Sequence, residues 1–269
     1  MEDEKKTFTG MKENHIEGRN AVLEAFRSGR TIDKLYVLDG CQDGPVRSIT
    51  REARKHDTIV NYVTKERLDQ ISETGKHQGV IAVSAAYDYA RVEDILALAE
   101  KKGEPPFILI LDGIEDPHNL GAIIRTANQA GAHGVIIPKR RAVGLTPTVA
   151  RTSAGAVNYV PVAKVTNISN TMKELKDRGM WFVCADMDGT LMYDMDLTGP
   201  IGLVIGNEGD GVSPLVKKNC DMVASIPMKG DIDSLNASVA AGVLSYEIVR
   251  QRMKNCLLYT SDAADDRIS

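Results

Sequence analysis

The sequence has few cysteines and no closely spaced pair of them. Its four cysteines are scattered through 269 residues without a Cys-x-x-Cys motif, at Cys41, Cys184, Cys220 and Cys256. Structural zinc sites and disulfide frameworks depend on such spacing. We therefore expect neither a metal site nor a disulfide-stabilised fold. A reduced cytoplasmic location is the simplest expectation.

Long apolar runs are also absent. No stretch approaches the ~18 apolar residues that a membrane-spanning helix needs, so we expect no membrane association. The first residues, Met1 to Lys6, are charged and lack the apolar core of a secretory signal. Residues 1–12 are mostly polar and are predicted to be disordered.

The chain has little net charge, with a formal value of −4. This total gives weak support to a nucleic-acid binder, because neutralising phosphates requires lysine and arginine only locally. Local basic clusters do occur. Each has two open interpretations, a solvated surface or a phosphate-binding surface. The clusters are Arg47, Arg51, Arg54 and Lys55, and then Lys139, Arg140 and Arg141.

The last stretch, residues 256–269, looks foreign to the rest of the chain. Its start, Cys-Leu-Leu-Tyr-Thr-Ser-Asp-Ala-Ala-Asp, resembles the translated end of a transposon adapter used in sequencing libraries. It follows a helical-looking segment abruptly and has no pattern of its own. We predict that it is a non-native tail. It contains three aspartates and one arginine, so the remaining chain has a formal charge of −2.

Apolar patterning predicts two α/β domains. Residues 13–88 form a small α/β unit, and residues 89–104 form a linker with a charged helix and the boundary signal Gly-Glu-Pro-Pro. In residues 105–255, short continuous apolar runs alternate with helical patterns. Continuous runs suit strands buried on both faces, which indicates a mostly parallel sheet flanked by helices. The runs are 107–111, 134–137, 181–185, 202–205 and 222–226.

The first motif leaves the run 107–111 and enters a helical pattern that contains Asn119 and Arg125. On a helical wheel Arg125 lies opposite the apolar stripe. The plain interpretation is a capping Asn119 and a solvated Arg125. The functional interpretation is that Arg125 projects over the strand ends towards a phosphate or a ribose, at the edge where α/β proteins bind ligands.

The second motif is a buried strand that opens into a glycine-rich loop containing Gly206, Asn207 and Glu208. Glycine lets backbone groups approach a ligand closely. The loop lacks the Gly-x-Gly-x-x-Gly spacing and the acidic residue ~20 positions later that mark a Rossmann dinucleotide site. The motif therefore predicts either a plain turn or a different kind of ligand loop.

The third motif begins with Ile226-Pro227-Met228 and contains Ser234-Leu235-Asn236-Ala237-Ser238-Val239-Ala240. Ser234 or Asn236 could simply cap the following helix. The three motifs together, in this order and spacing, resemble the SpoU/TrmH family of RNA ribose 2′-O-methyltransferases. The likeness is strongest to the branch that methylates a guanosine of 23S ribosomal RNA.

The resemblance covers both domains. Residues 13–88, with Glu17-Gly18-Arg19-Asn20 and His77-Gln78-Gly79-Val80, look like the family's substrate-binding domain, which is similar to ribosomal protein L30e. Residues 105–255 look like a SPOUT catalytic domain, which implies a trefoil knot that no residue pattern could predict. The resemblance also implies RNA as partner, S-adenosylmethionine as cofactor, no metal, and a homodimer.

Site residues follow from the resemblance position by position. Gly206, Ile226 and Leu235 match cofactor-binding positions. The matches to catalytic and active-site positions are Asn119, Arg125, Glu208, Ser234 and Asn236. In the family the arginine is proposed to be the base. Free guanidinium has a pKa near ~13, so we expect Arg125 chiefly to clamp a phosphate.

Three alternatives remain open. A tRNA substrate would keep the chemistry. A non-catalytic RNA-binding relative would be expected to lose Arg125, Glu208 or Asn236, and all three are present. The segment Asp186-Met187-Asp188-Gly189-Thr190 resembles the nucleophile motif of Mg²⁺-dependent phosphatases. However, it stands late in the chain and too few residues follow it to build that fold.

Overall fold

Two separate sheets organise the chain. The structure, a computed structural model, describes residues 15–231 and 234–265, with side chains up to residue 253. Contacts divide it into a first unit that extends to Asp88 and includes Gly144–Pro147, and a second unit formed by the rest. The predicted disordered residues 1–12, Ile232 and Asp233 of the third motif, and the last four residues lie outside the described part.

The first unit is a small α/β unit, as predicted. Its four strands lie in the order β1-β4-β2-β3; β2 and β3 are parallel, and the other two pairings are antiparallel. One hydrophobic core of aliphatic residues and Phe26 lies between this sheet and the first two helices. The elements are β1 (His15–Glu17), α1 (Arg19–Arg27), β2 (Ile32–Leu38), α2 (Gly44–Lys55), β3 (Ile59–Val63), α3 (Lys65–Ile71) and β4 (Val80–Ser84).

The second unit contains a six-stranded parallel sheet in the order β10-β8-β9-β5-β6-β7. This confirms the predicted parallel sheet. The elements are α4 (Val92–Lys102), β5 (Phe107–Asp112), α5 (Pro117–Gln129), β6 (Gly134–Pro138), α6 (Pro147–Thr152), β7 (Val162–Val165), α7 (Ile168–Lys176), β8 (Trp181–Leu191), β9 (Ile201–Gly206), α8 (Pro214–Lys218), β10 (Met222–Ser225) and α9 (Ala237–Asp265).

Helices cover the second sheet on both faces. Ile108 and Ile110 of β5 belong to a core that includes side chains from α4, α7 and α8. The neighbouring residue Leu109 is equally buried on the opposite face, because side chains alternate along a strand. Helices α5 and α9 pack against each other, and α9 also packs on β9. The chain of α9 continues into residues 256–265, whose non-native origin stays a prediction.

Strand β8 differs from its prediction. The apolar run predicted a strand over 181–185, but the strand continues to Leu191. The pairing with β10 jumps from Cys184–Val223 to Thr190–Ala224, so residues 185–189 bulge out of the sheet. A Cβ at Gly189 would lie 2.5 Å from the carbonyl oxygen of Val223, so the bulge returns to the sheet at a glycine.

Strand β7 was missed by the sequence analysis. Its four residues, Val162 to Val165, include the charged Lys164, and only Val162 and Ala163 are fully buried. Such a run is too short for a clear apolar signal. None of the described helices is both long enough and apolar enough to cross a membrane.

In the first unit, the Glu17 carboxylate at the end of β1 organises the loop after α3. Its oxygens accept hydrogen bonds from the Ser72 hydroxyl at 2.7 Å, the Glu73 amide at 2.5 Å, and the hydroxyl and amide of Thr74. Burial raises the pKa of Glu17, but these hydrogen bonds outweigh it and lower the pKa from 4.5 to about 2. The loop is thereby tied to a charged carboxylate.

We expect this interaction to make stability depend on pH. The folded-state pKa of Glu17 is lowered, so its contribution is full above pH 4.5 and is lost as the pH falls towards 2. The difference in urea midpoint between the wild type and Glu17→Gln should therefore be largest near pH 7 and shrink below 4.5. The exposed Glu24→Gln variant is the control. A difference that stays constant from pH 7 to 3 would contradict the assignment.

Candidate active site

A cavity of about 450 Å³ opens beside the bulge of β8 and the carboxyl ends of β9 and β10. This volume lies in the range of roughly 300–1,000 Å³ that small-molecule sites occupy. One wall is the bulge of β8, a second is the glycine-rich loop after β9, and a third is the segment leading into α9. The cavity contains the predicted residues Gly206, Glu208, Ile226, Ser234 and Leu235.

The loop after β9 is held in a tight turn. The backbones of Asn207 and Gly211 exchange two hydrogen bonds, of 3.0 and 2.9 Å. A Cβ at Gly206 would lie 2.1 Å from the carbonyl carbon of Gly211, so only glycine fits at position 206. The Asn207 side chain donates to the carbonyl oxygen of Gly113 at 2.9 Å and accepts from the Gly209 amide at 2.8 Å. The loop is thus anchored to the end of β5.

Three of the predicted catalytic residues meet at one carboxylate oxygen. Oε1 of Glu208 accepts from Nδ2 of Asn119 at 3.0 Å, from Nδ2 of Asn236, and from the Ala237 amide at 3.4 Å. Asn236 also donates to Oδ1 of Asn119 at 3.0 Å. Since Asn119 lies on α5, this triangle joins one side chain from each of the three sequence motifs.

Asn236 has a second role as the cap of α9. Its Oδ1 accepts from the amides of Ser238 at 2.9 Å and Val239 at 3.3 Å, and from the Ser238 hydroxyl at 2.5 Å. These contacts orient the amide so that its NH₂ group faces Glu208. Asn119, by contrast, is not a cap: α5 begins at Pro117 after the capping Asp116. Asn236 therefore caps α9 and contacts Glu208 at the same time, and its predicted catalytic role stays a prediction.

Arg125 is separated from this triangle. It lies exposed on α5, opposite the buried stripe, as the helical wheel predicted. It is not among the residues that line the cavity, and its guanidinium makes no hydrogen bond or ion pair with a described residue. Ser234 lies exposed at the cavity rim.

An ion pair at the cavity wall was not anticipated. Asp186, on the bulge of β8, binds Lys217 of α8 at 2.6 Å and accepts from the Asp188 amide at 3.2 Å. The Lys217 hydrogen bond lowers the pKa of Asp186. Both carboxylate oxygens are thus engaged, which gives no support to a phosphatase nucleophile at Asp186. Only the register jump in β8 brings Asp186 to the cavity, and the sequence carries no signal for that jump.

Two family models match the chain in the same places as the two units. The SpoU rRNA methylase family matches residues 106–246, and the RNA 2′-O ribose methyltransferase substrate-binding family matches residues 15–90. The chain belongs to the SpoU rRNA methylase family. It is therefore an RNA 2′-O-ribose methyltransferase with an N-terminal substrate-binding domain.

Similar proteins span both units. A Bacillus subtilis protein, YacO, whose name assigns it to the TrmH family of tRNA/rRNA methyltransferases, is 49% identical over 89% of this chain and 96% of its own. The AdoMet complex of the SpoU methyltransferase AviRb from Streptomyces viridochromogenes is 28% identical, with a TM-score of 0.58 over 90% of this chain and 91% of that one.

Two further structures differ in how much of this SpoU methyltransferase they match. An AdoMet-bound rRNA methyltransferase from Sinorhizobium meliloti is 26% identical and covers 88% of this chain and 86% of its own, with a TM-score of 0.55. A TrmH/SpoU tRNA modifying enzyme from A. aeolicus is 30% identical but covers 61% of this chain and 84% of its own, with a TM-score of 0.52.

The cofactor is S-adenosylmethionine, as in the AdoMet-bound structures of the family. The cavity fits such a group. Its apolar residues, among them Ala224, Ile226 and Leu235, suit the flat face of an adenine, and the backbone of the glycine-rich loop allows close approach. The carboxylate of Glu208 lies on the same cavity and suits a positively charged sulfonium.

The two roles of Asn236 can be separated by substitution. Serine is also a good helix cap but is too short to reach Glu208. We expect Asn236→Ser to change the free energy of unfolding by only a few tenths of a kcal/mol, whereas Asn236→Ala should lower it by about 1 kcal/mol. Both should reduce methyl transfer at least roughly tenfold, since a hydrogen bond to a charged group is lost. Urea unfolding and turnover measure the two effects; full turnover in Asn236→Ser would contradict this role.

Proposed function

We propose that this SpoU methyltransferase methylates the ribose 2′-hydroxyl of a guanosine in 23S ribosomal RNA, which is the reaction of the bacterial enzyme RlmB. We also propose that it works as a homodimer. The observation that carries the proposal is the triangle of Asn119, Glu208 and Asn236 at the rim of the cofactor cavity. The triangle fixes a carboxylate beside the cofactor cavity, where the proton of the acceptor hydroxyl must be removed.

The choice of ribosomal over transfer RNA is supported by the extent of the similarity. The structure named as an rRNA methyltransferase matches 88% of this chain, whereas the one named as a tRNA modifying enzyme matches 61%. A substrate-binding domain is present at residues 15–90. An added RNA-binding unit suits a large folded RNA, in which the target nucleotide must be unstacked before its ribose is accessible.

In the proposed mechanism the protein aligns the acceptor and removes a proton. When bound, S-adenosylmethionine would supply a methyl group whose bond to the sulfonium sulfur breaks as the bond to the 2′-oxygen forms, with the neutral thioether as leaving group. The 2′-hydroxyl must lose its proton in this step, and Arg125 holds the adjacent phosphate in a bidentate contact. The exposed position of Arg125 suits this role, because its guanidinium makes no hydrogen bond or ion pair with a described residue that RNA would have to displace.

The proton acceptor is proposed to be the second oxygen of Glu208, directly or through water. Oε1 is occupied by three donors, while Oε2 makes no hydrogen bond within the described residues. The triangle thus holds the carboxylate fixed with one oxygen directed away from its partners. A positioned acceptor of this kind contributes to catalysis through geometry. Ser234 at the cavity rim is the alternative route for the proton.

The proposal is tested by incubating the protein with methyl-labelled S-adenosylmethionine and unmodified 23S rRNA or tRNA, followed by digestion to nucleosides. Label in 2′-O-methylguanosine from 23S rRNA alone is the expected result. Label from tRNA alone would overturn the choice of substrate while keeping the reaction. No label from either RNA, with cofactor binding intact, would overturn the catalytic proposal.

Arg125 offers a sharper test of the clamp. Arg125→Ala should lower turnover by roughly a hundredfold or more, and Arg125→Lys should recover only a small part of it, because lysine cannot make the bidentate contact. The exposed Arg178, which follows α7, provides the control Arg178→Lys. Nearly full turnover and RNA affinity in Arg125→Lys would show that bidentate clamping is wrong.

A further inference from the structure

A cluster of four cations occupies the same sheet edge as the cofactor cavity but belongs to other strands. Lys139, Arg140 and Arg141 directly follow β6, and Lys164 lies in β7. We call these four residues the basic ledge. Arg140 and Arg141 are exposed, and within the described residues neither guanidinium has an ion-pair partner.

One backbone and one side-chain hydrogen bond connect the basic ledge to the active site. The loop that begins at Lys139 ends with the Val143 amide donating to the carbonyl oxygen of Ile114 at 3.0 Å. The preceding residue, Gly113, accepts the 2.9 Å bond from Asn207 in the loop at the cavity. The end of β5 therefore lies between the loop of the ledge and the cofactor loop and is hydrogen-bonded to both.

The strand order sets the distance between the basic ledge and the cofactor loop. Strand β6 is two positions from β9 and β7 is three positions away. At a spacing of ~4.8 Å between strands, the ledge lies about 10–14 Å from the cofactor loop. Stacked nucleotides advance ~3.4 Å each along a strand. The distance from the ledge to the cavity thus equals the distance between a target nucleotide and the phosphates roughly three to four nucleotides away.

The local conformation places these cations on one short stretch of the sheet edge. Burial, and then the charge of Lys164, lower the pKa of Lys139. The Lys164 ammonium lies 4.8 Å from the centre of the Tyr89 ring, a cation–π contact that holds it in place. Arg141 has a φ of 55°, in the left-handed region that residues other than glycine rarely adopt.

We propose that the basic ledge binds the phosphates of RNA nucleotides flanking the one that is methylated. The exposed guanidiniums of Arg140 and Arg141 suit phosphate oxygens, and phosphate contacts of this kind set the register of a nucleic acid without reading its sequence. The inference rests on the proposed function in taking RNA as the ligand. It adds a binding surface within the catalytic unit, separate from the substrate-binding domain.

The test is the salt dependence of RNA affinity, which does not require methyl transfer. Fluorescence anisotropy between 50 and 200 mM salt would compare the wild type with Arg140→Gln/Arg141→Gln on an unmodified rRNA fragment and on an unrelated RNA of equal length. Each lost phosphate contact reduces the log–log slope by roughly 0.7. The affinity of the variant should therefore fall about sevenfold less over this range, on both RNAs.

Matched variants separate charge from structure. Arg140→Lys/Arg141→Lys should keep the wild-type slope. Lys101→Gln/Lys102→Gln removes two exposed charges at the end of α4, near the opposite sheet edge, and should also keep it. If the double glutamine variant loses cofactor binding, the single Arg140→Gln variant, with half the expected change, replaces it. An unchanged slope in Arg140→Gln/Arg141→Gln would contradict the proposal that the ledge binds RNA. A slope that changes only in Arg47→Gln/Arg51→Gln, on α2, would contradict it as well. Both outcomes can be read without the methylation assay.

Discussion

One carboxylate oxygen, Oε1 of Glu208, holds the active site together. It receives donors from α5 and from the start of α9, so segments far apart in the chain are fixed around a single atom. The cavity depends on this atom because it links the glycine-rich loop directly to the segment that leads into α9. A buried Asn119 makes the contact rigid, since its amide is enclosed by packing on α5.

The sequence predicts this arrangement up to the level of strands and helix faces. Continuous apolar runs such as 107–111 and 202–205 correctly predicted parallel strands, and adjacent parallel strands place the following loops at one edge. The wheel correctly predicted that Arg125 is exposed. The contacts within the triangle could not be predicted, because they join residues up to 117 positions apart whose approach depends on packing. The bulge in β8 and the short β7 were missed for a related reason: their register is determined by their neighbours rather than by their own residues.

Strand order also distributes charge along the edge of the sheet. Carboxylates follow or interrupt β8 and β9, where Asp186 and Glu208 face the cavity. Cations follow β6 and occupy β7 on the far side of β5. The far end of the edge therefore suits the phosphates of a polyanion, while the Glu208 carboxylate suits a cationic group in the cavity. The same six strands thus present two chemically different surfaces with β5 between them.

The bulge of β8 allows the cofactor pocket to vary while the sheet stays the same. Residues 185–189 leave the ladder at Cys184 and return at Gly189, and the pairing on either side does not need them. The two ends of this segment are fixed in the sheet, and its middle has no strand-pairing partner in β10. The middle can therefore change in length or composition without disturbing the sheet. Because that middle also forms a wall of the cofactor cavity, the pocket can be reshaped at a site where the fold itself exerts little constraint.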